Sequence, residues 1–250
     1  MSFLNKTLAA PLLIGTMLAF SPAGADEFSA AQKAELDGLI RAYILENPEV
    51  IVEAMQVLEQ RQQRAQQAAD ADLIARMGDR LMDDGFSYVG GNPDGDVTVV
   101  EFLDYRCGYC KQAHDGVQAL VASDGGIRLV VKEFPILGPD STFAARAAMA
   151  SLSQSPRLYE AFNDAMMRHQ GDLNQRVVLG IAESVGLDAD ELQAEMDSAE
   201  IAERIRTTYG LAREMNISGT PAFIIGDEIV RGYIPYDSLR ELVEAARDAG

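Results

Sequence analysis

The chain has 250 residues, with 21 Lys+Arg against 39 Asp+Glu and a formal net charge of −18. That sign repels phosphate backbones and anionic lipid surfaces, which argues against nucleic acid as a partner. Two cysteines and two histidines are the minimum set for a tetrahedral zinc site.

Residues 1–25, "MSFLNKTLAAPLLIGTMLAFSPAGA", carry Lys6, an apolar run from Leu8 to Phe20, and small residues at Ala23, Gly24 and Ala25. The run is short for a membrane span, and no second one follows. The pattern predicts a cleaved secretory signal, with Asp26 the first mature residue; an uncleaved anchor is the alternative. The remaining chain, about 225 residues, suits one large domain or one domain plus an extension. It would work in an oxidising compartment.

Residues 26–86 read as a helical extension. Leu36, Leu39, Ile40, Tyr43 and Ile44 form one apolar stripe, and Asn47-Pro48 fits the N-cap and first position of the next helix. Ile51, Met55 and Leu58 line that helix. "EQRQQRAQQAADAD", Glu59 to Asp72, has almost nothing large to bury, and Ile74, Met77 and Leu81 then restore a stripe. Helices this thin form no core alone, so the stripes are expected to meet copies of themselves. Packing back onto the rest of the chain is the alternative.

"GGNPDGD", Gly90 to Asp96, is turn-rich and leads into "VTVVEFLDY", Val97 to Tyr105, a short, nearly continuous apolar run that predicts a buried strand. Cys110 to Ala122 has helical spacing, Ile127 to Phe134 reads as a second strand, and Asp140 to Met215 is mostly helical, with breaks near Ser155-Pro156, Gly171 and Gly186 to Asp188. Phe223 to Ile225 and Ile229 to Val230 flank "GDE" as a hairpin. Tyr236, Leu239, Leu242, Val243 and Ala246 predict a closing amphipathic helix. The order is β-α-β, helical insert, β-β-α, an α/β fold.

Both cysteines, Cys107 and Cys110, lie at the first strand-to-helix turn. As a staple the pair would contribute about 2 kcal/mol, against about 4.7 kcal/mol for a hundred-residue loop; the spacing suits a bond made and broken in turnover. It does not match the compact zinc-finger pattern. His114 shares a helix face with Cys110, Ala113, Val117 and Val121, which predicts a buried histidine. Cys107 at the helix N-terminus, where unpaired N–H groups and the positive dipole end favour a thiolate, is the candidate nucleophile, and Cys110, one turn on, the shielded resolving thiol. Glu101 is out of place in an apolar strand: a buried acid there would relay a proton when Cys110 ionises, unless that stretch is exposed.

"CGYC" at a strand-to-helix turn, "GTP" before a hairpin, and the helical insert between them resemble the thioredoxin fold, and more narrowly the secreted DsbA family of thiol–disulfide oxidoreductases. "KEFPILGPDSTFAARAA", Lys132 to Ala148, is similar too. The resemblance covers residues 87–250, with the insert at about 139–215. It implies a periplasmic enzyme with no dissociable cofactor and no metal, acting on cysteine-containing secreted proteins and reset by a membrane-bound redox partner. It also implies a cis bond at Thr220-Pro221 beside Cys107, with Thr220 shaping substrate contact; an ordinary trans proline is the alternative. The family's strong oxidase carries Pro-His between its cysteines. Gly108-Tyr109 and Thr220 instead resemble its periplasmic isomerase, DsbC, and imply a less extreme thiol pKa. "AYILENPEVIVEAMQVLEQ" resembles the N-terminal segment of ScsC-like proteins, the copper-tolerance branch, which implies a homo-oligomer, a trimer, acting as an isomerase. A DsbA-like oxidase and a non-enzymatic copper- or zinc-binding protein are the competing functions, and the scattered methionines count against the second.

Overall fold

The computed structural model describes residues 28–249, so the expected signal peptide at 1–25 lies outside the described residues. By its contacts the chain divides into two units, one up to Glu59 and one from Gln60.

In the first unit, α1 (Ala30–Glu46) starts at a capping box in which Ser29 and Gln32 satisfy each other's backbone N–H groups. Asn47 differs from expectation: its side-chain amide and its N–H both donate to the Tyr43 carbonyl, closing α1 instead of opening the next helix. α2 (Glu49–Met82) is then one uninterrupted helix of 34 residues, because the polar stretch from Glu59 to Asp72 contains neither Gly nor Pro. The stripe residues Leu36, Leu39, Ile40, Tyr43, Ile51, Met55 and Leu58 are all exposed in the single chain.

The second unit is built on a five-stranded sheet of order β1-β3-β2-β4-β5: β1 (Tyr88–Gly91), β2 (Val97–Leu103), β3 (Ile127–Glu133), β4 (Ala222–Ile225) and β5 (Glu228–Arg231). β2 and β3 run parallel, and the other three pairings are antiparallel. α3 (Gly108–Asp124) makes the crossover between β2 and β3. The insert consists of α4 (Pro139–Gln154), α5 (Pro156–Arg168), α6 (Gln175–Ser184), α7 (Ala189–Met196) and α8 (Ala199–Glu214), and α9 (Tyr236–Ala249) closes the chain. The expected breaks are present; one more, at Asp197-Ser198, is set by Ser198 capping α8. β1 was not foreseen. Its Gly90-Gly91 half belongs to the stretch that reads as turn-rich, yet Gly91 at φ +67° lies so close to the Ile127 carbonyl that a Cβ would sit 2.4 Å from that oxygen.

Alternation along the strands sorts the core onto two faces. Val97, Val99 and Leu103 of β2, with Ile127, Leu129 and Val131 of β3, pack with α3, α5, α9 and the rest of the insert. Val100, Phe102 and Val130 face the other way and pack with Leu211 and Met215. Ile74 and Leu81 of α2 join that second cluster, so the third apolar stripe folds back onto the sheet and does not await a copy of itself. Two ion pairs fix it there. Arg231 grips Asp70 through two hydrogen bonds of 2.9 Å, and the fully buried Lys132 meets Asp84 at 2.7 Å. The expected division after residue 86 therefore differs from the contact boundary at residue 59, because these late α2 side chains are core.

This makes truncation points testable. A chain starting at Gln60 is expected to unfold cooperatively in urea. A chain starting at residue 87 lacks Ile74, Leu81 and Asp84, which uncovers the Val100, Phe102 and Val130 face of the sheet and removes the partner of Lys132, and it is expected to be unfolded or strongly destabilised. In the full chain Leu81→Ala should lower the unfolding free energy by about 2–5 kcal/mol, measured by circular dichroism in urea.

Candidate functional site

The site forms where β2 ends. Leu103 is the last strand residue; Asp104 turns the chain, its buried carboxylate accepting from the N–H groups of Arg106 (2.8 Å) and Leu137 (3.0 Å). Cys107 N-caps α3 with extended backbone, and its N–H donates to the Asp104 carbonyl. Gly108 and Tyr109 begin the helix. Cys110 follows one turn in and is fully buried, while Cys107 keeps 8% of its surface. Tyr109 is 64% exposed and stacks over Tyr233 at 6.4 Å, so an aromatic surface stands beside Cys107.

β4 lies antiparallel to β2, and that pairing brings the loop before β4 to the dithiol. Thr220-Pro221 is a cis peptide, and the Cys107 Sγ lies 3.1 Å from the Thr220 carbonyl oxygen. A thiol donating to that carbonyl favours the protonated state. Against it, the hydrogen bond from the Cys110 thiol is the largest influence on Cys107; the Thr220 hydroxyl and the N–H groups of Cys110 and Tyr109 add to it, and the thiolate prevails, with the pKa lowered to about 5. Burial pushes the Cys110 thiol far up, helped by its hydrogen bond to Cys107 and by the nearby Glu101 charge. One thiol is poised to attack and the other to hold its proton.

Glu101 is buried at 4% exposure, and burial raises its carboxyl pKa to about 8. The alternation of β2 places it on the α3 side of the sheet, with Val99 and Leu103. A second acid escaped sequence reading. Glu133, at the end of β3, is 2% exposed; its Oε1 accepts from the hydroxyls of Tyr105 and Tyr159, both at 2.8 Å, and Asn163 donates to Tyr105. Burial raises its pKa to about 8 as well. The signal that marked Glu101, an acid in an apolar strand, was equally present in "IRLVVKEF". Tyr233 and Asp104 offered no such signal. His114 is buried as expected, with Nε2 2.9 Å from the Asp164 carboxylate. Among the described residues, no three His, Cys, Asp or Glu side chains gather as a metal-ligating cluster.

The asymmetry of the thiols is testable. Iodoacetamide is expected to modify Cys107 with a rate that rises through a midpoint near pH 5, and Cys110 only slowly; equal rates at the two would overturn the assignment. For Glu101 the folded pKa of about 8 lies above its ordinary 4.5, so the native state holds the proton across that window. The stability it contributes below 4.5 is lost as pH rises through about 8. Glu101→Gln should therefore be more stable than the parent above pH 8, on the order of a few kcal/mol, with the difference gone near pH 4. Urea midpoints across pH measure it.

Comparison with known proteins agrees with this geometry. The DSBA-like thioredoxin domain matches residues 98–244, and the copper resistance protein ScsC N-terminal domain matches residues 32–65. A thioredoxin-like oxidoreductase from Silicibacter pomeroyi DSS-3 is 45% identical, with a TM-score of 0.66 over 69% of this chain and 98% of its own. The thiol-disulfide exchange protein alpha-DsbA2 from Wolbachia pipientis is 30% identical, with a TM-score of 0.69 over 72% of this chain and 97% of its own. The Na(+)/H(+) antiporter NhaA 1 of Salinispora arenicola is 32% identical over 161 residues, and the chain spans only 24% of that protein's length. No helix of the described residues is long and apolar enough to cross a membrane. The match over more than half its length places the chain in the DSBA-like thioredoxin domain family.

Proposed function

We propose that this chain works in the periplasm as a protein disulfide isomerase, with the Cys107-Gly108-Tyr109-Cys110 dithiol as its redox group. The observation that carries the dithiol chemistry is the division between a rim thiol held as thiolate and a resolving thiol buried behind it. The Cys107 thiolate attacks one sulfur of a substrate disulfide; that S–S bond breaks, the other substrate sulfur leaves as a thiolate, and a mixed disulfide remains. The freed thiolate then attacks another substrate disulfide, and a later substrate thiolate displaces Cys107, so no net electrons are transferred. If rearrangement stalls, Cys110 loses its proton to Glu101, attacks Cys107, and releases the substrate reduced. A membrane-bound redox partner would then restore the dithiol. Thr220-Pro221 and the Tyr109–Tyr233 surface are the contacts for the bound chain.

The isomerase mode is supported by the N-terminal unit. Ten large apolar side chains on α1 and early α2 stand exposed, which fits burial against copies of the same helices, and a trimer is the proposed state. Several dithiols on one assembly would raise their effective concentration around one misfolded substrate. A dithiol oxidase is the second reading. It is favoured by the Cys107 pKa of about 5, which lies between about 7 in thioredoxin and about 3.5 in a strong oxidase; a stabilised thiolate makes the disulfide form oxidising.

Refolding of scrambled ribonuclease and oxidation of reduced ribonuclease separate the two. At equal dithiol concentration, the chain from Asp26 is expected to isomerise about tenfold or more faster than the chain from Gln60, with oxidase rates equal or higher in the truncated form. Unchanged isomerase activity on truncation would put the oxidase first. Light scattering reads the oligomer.

A further inference from the structure

The resolving step leaves a proton in a closed place. Glu101 is walled by β3 through Val131 and Glu133, by Phe223 of β4, and by Cys110 of α3. Glu101 can take the Cys110 proton only as the carboxylate, the minor form at neutral pH for a pKa of about 8, so turnover needs a way for its own proton to reach water before each resolving step.

The structure contains one. A cavity of about 30 Å³ is lined by Glu101 together with Gln118 of α3, Tyr159, Glu160 and Asn163 of α5, and Tyr88 of β1. A water needs roughly 10–15 Å³ and two to four polar partners. The cavity meets both conditions with room for one or two waters, since six of its side chains are polar. It adjoins a surface groove of about 560 Å³, and the two share Tyr88, Gln118 and Glu160 as lining. Glu160 is exposed on the groove side, and its carboxylate faces the Tyr88 hydroxyl. Tyr88, which lines both, is held in place: its ring stacks on Tyr159 at 4.4 Å, and a Cβ at Gly90 would lie 2.7 Å from that ring.

We propose that Glu160 is the outer proton relay of the dithiol, carrying the Cys110 proton between Glu101 and solvent through this cavity. The proposal rests on Glu101 being the acceptor of that proton. Cys110–SH gives its proton to the Glu101 carboxylate, and the thiolate attacks the Cys107 sulfur of the mixed disulfide. The Cys107–Cys110 bond forms, the bond to the substrate breaks, and the substrate sulfur leaves with the electron pair. The Glu101 proton passes by cavity water to Glu160 and out; in the reverse direction the same route delivers it. Glu160 touches neither sulfur, so it is a positioning and relay residue.

The test uses the full mature chain. The protein has no tryptophan, so the Cys107 mixed disulfide formed with oxidised glutathione is followed by acid quench and mass spectrometry. Glu160→Gln, which keeps a hydrogen-bonding group toward Tyr88, is expected to slow resolution about tenfold in dilute non-transferring buffer near neutral pH, below the full range of general acid–base effects. Cys107 alkylation should be unchanged. Imidazole, small enough to enter the groove, should restore the rate in Glu160→Gln and leave the parent unaffected. An unchanged rate, or a slowing that imidazole does not relieve, overturns the relay. Glu101→Gln run beside it separates the two levels: slow resolution there with an unaffected Glu160→Gln overturns the route alone, and normal resolution in Glu101→Gln overturns the acceptor and the relay together.

Discussion

The chemistry of this molecule depends on β2 being the middle strand of its sheet. A strand paired on both edges and covered on both faces has no solvent of its own, so any polar group on it is displaced in pKa or satisfied by a partner. Glu101 is displaced: its neighbours in register are Val131 and Phe223, and its carboxyl keeps a proton that an exposed acid would lose. The same central position fixes the other parts. The parallel partner β3 requires a crossover, which α3 makes, so the N-terminus of that helix opens at the end of β2 and carries Cys107. The antiparallel partner β4 brings the Thr220-Pro221 loop in from the opposite edge.

Buried ionisable groups are therefore the recurring cost in this fold, and each instance is met differently. Lys132 is answered by Asp84 at 2.7 Å and lies near the Phe86 ring; the pair is costly to break because either partner alone would be an uncompensated ion. Asp104 is answered by two backbone N–H groups and holds the active turn in shape. Glu133 takes two tyrosine hydroxyls on one oxygen and leaves the other without a partner. Glu101 has burial as the sole cause of its shift, which leaves its proton free to respond to the thiol beside it. Of these, Glu101 is the group least tied to neighbours.

α2 shows how one regular element can serve two environments. Its propensity is uniform enough to run unbroken through a polar stretch, yet its first apolar residues are exposed and its last ones are core. Helix formation is local, whereas burial depends on what lies alongside. The bidentate grip of Arg231 on Asp70 ties α2 to β5 within the second unit.

Local pattern by itself determined a great deal here. The strand-to-helix turn at Cys107, the burial of Cys110 and His114, the anomaly of Glu101, the breaks between the insert helices and the terminal hairpin all follow from periodicity, turn residues and helix-end electrostatics, which act over a few neighbours. Tertiary structure alone decided the rest. β1 is four residues long with two glycines, and only pairing with β3 makes it a strand. Ile74 and Leu81 carry the same kind of stripe as Ile51 and Leu58; only the sheet face available to them separates core from exposed surface. Tyr233 reaches Tyr109, and Glu160 reaches the cavity of Glu101, because the topology folds together residues dozens of positions apart. The physical reason is common to all three: a side chain's spacing is written in the chain, but its neighbours are fixed only when the strands are ordered.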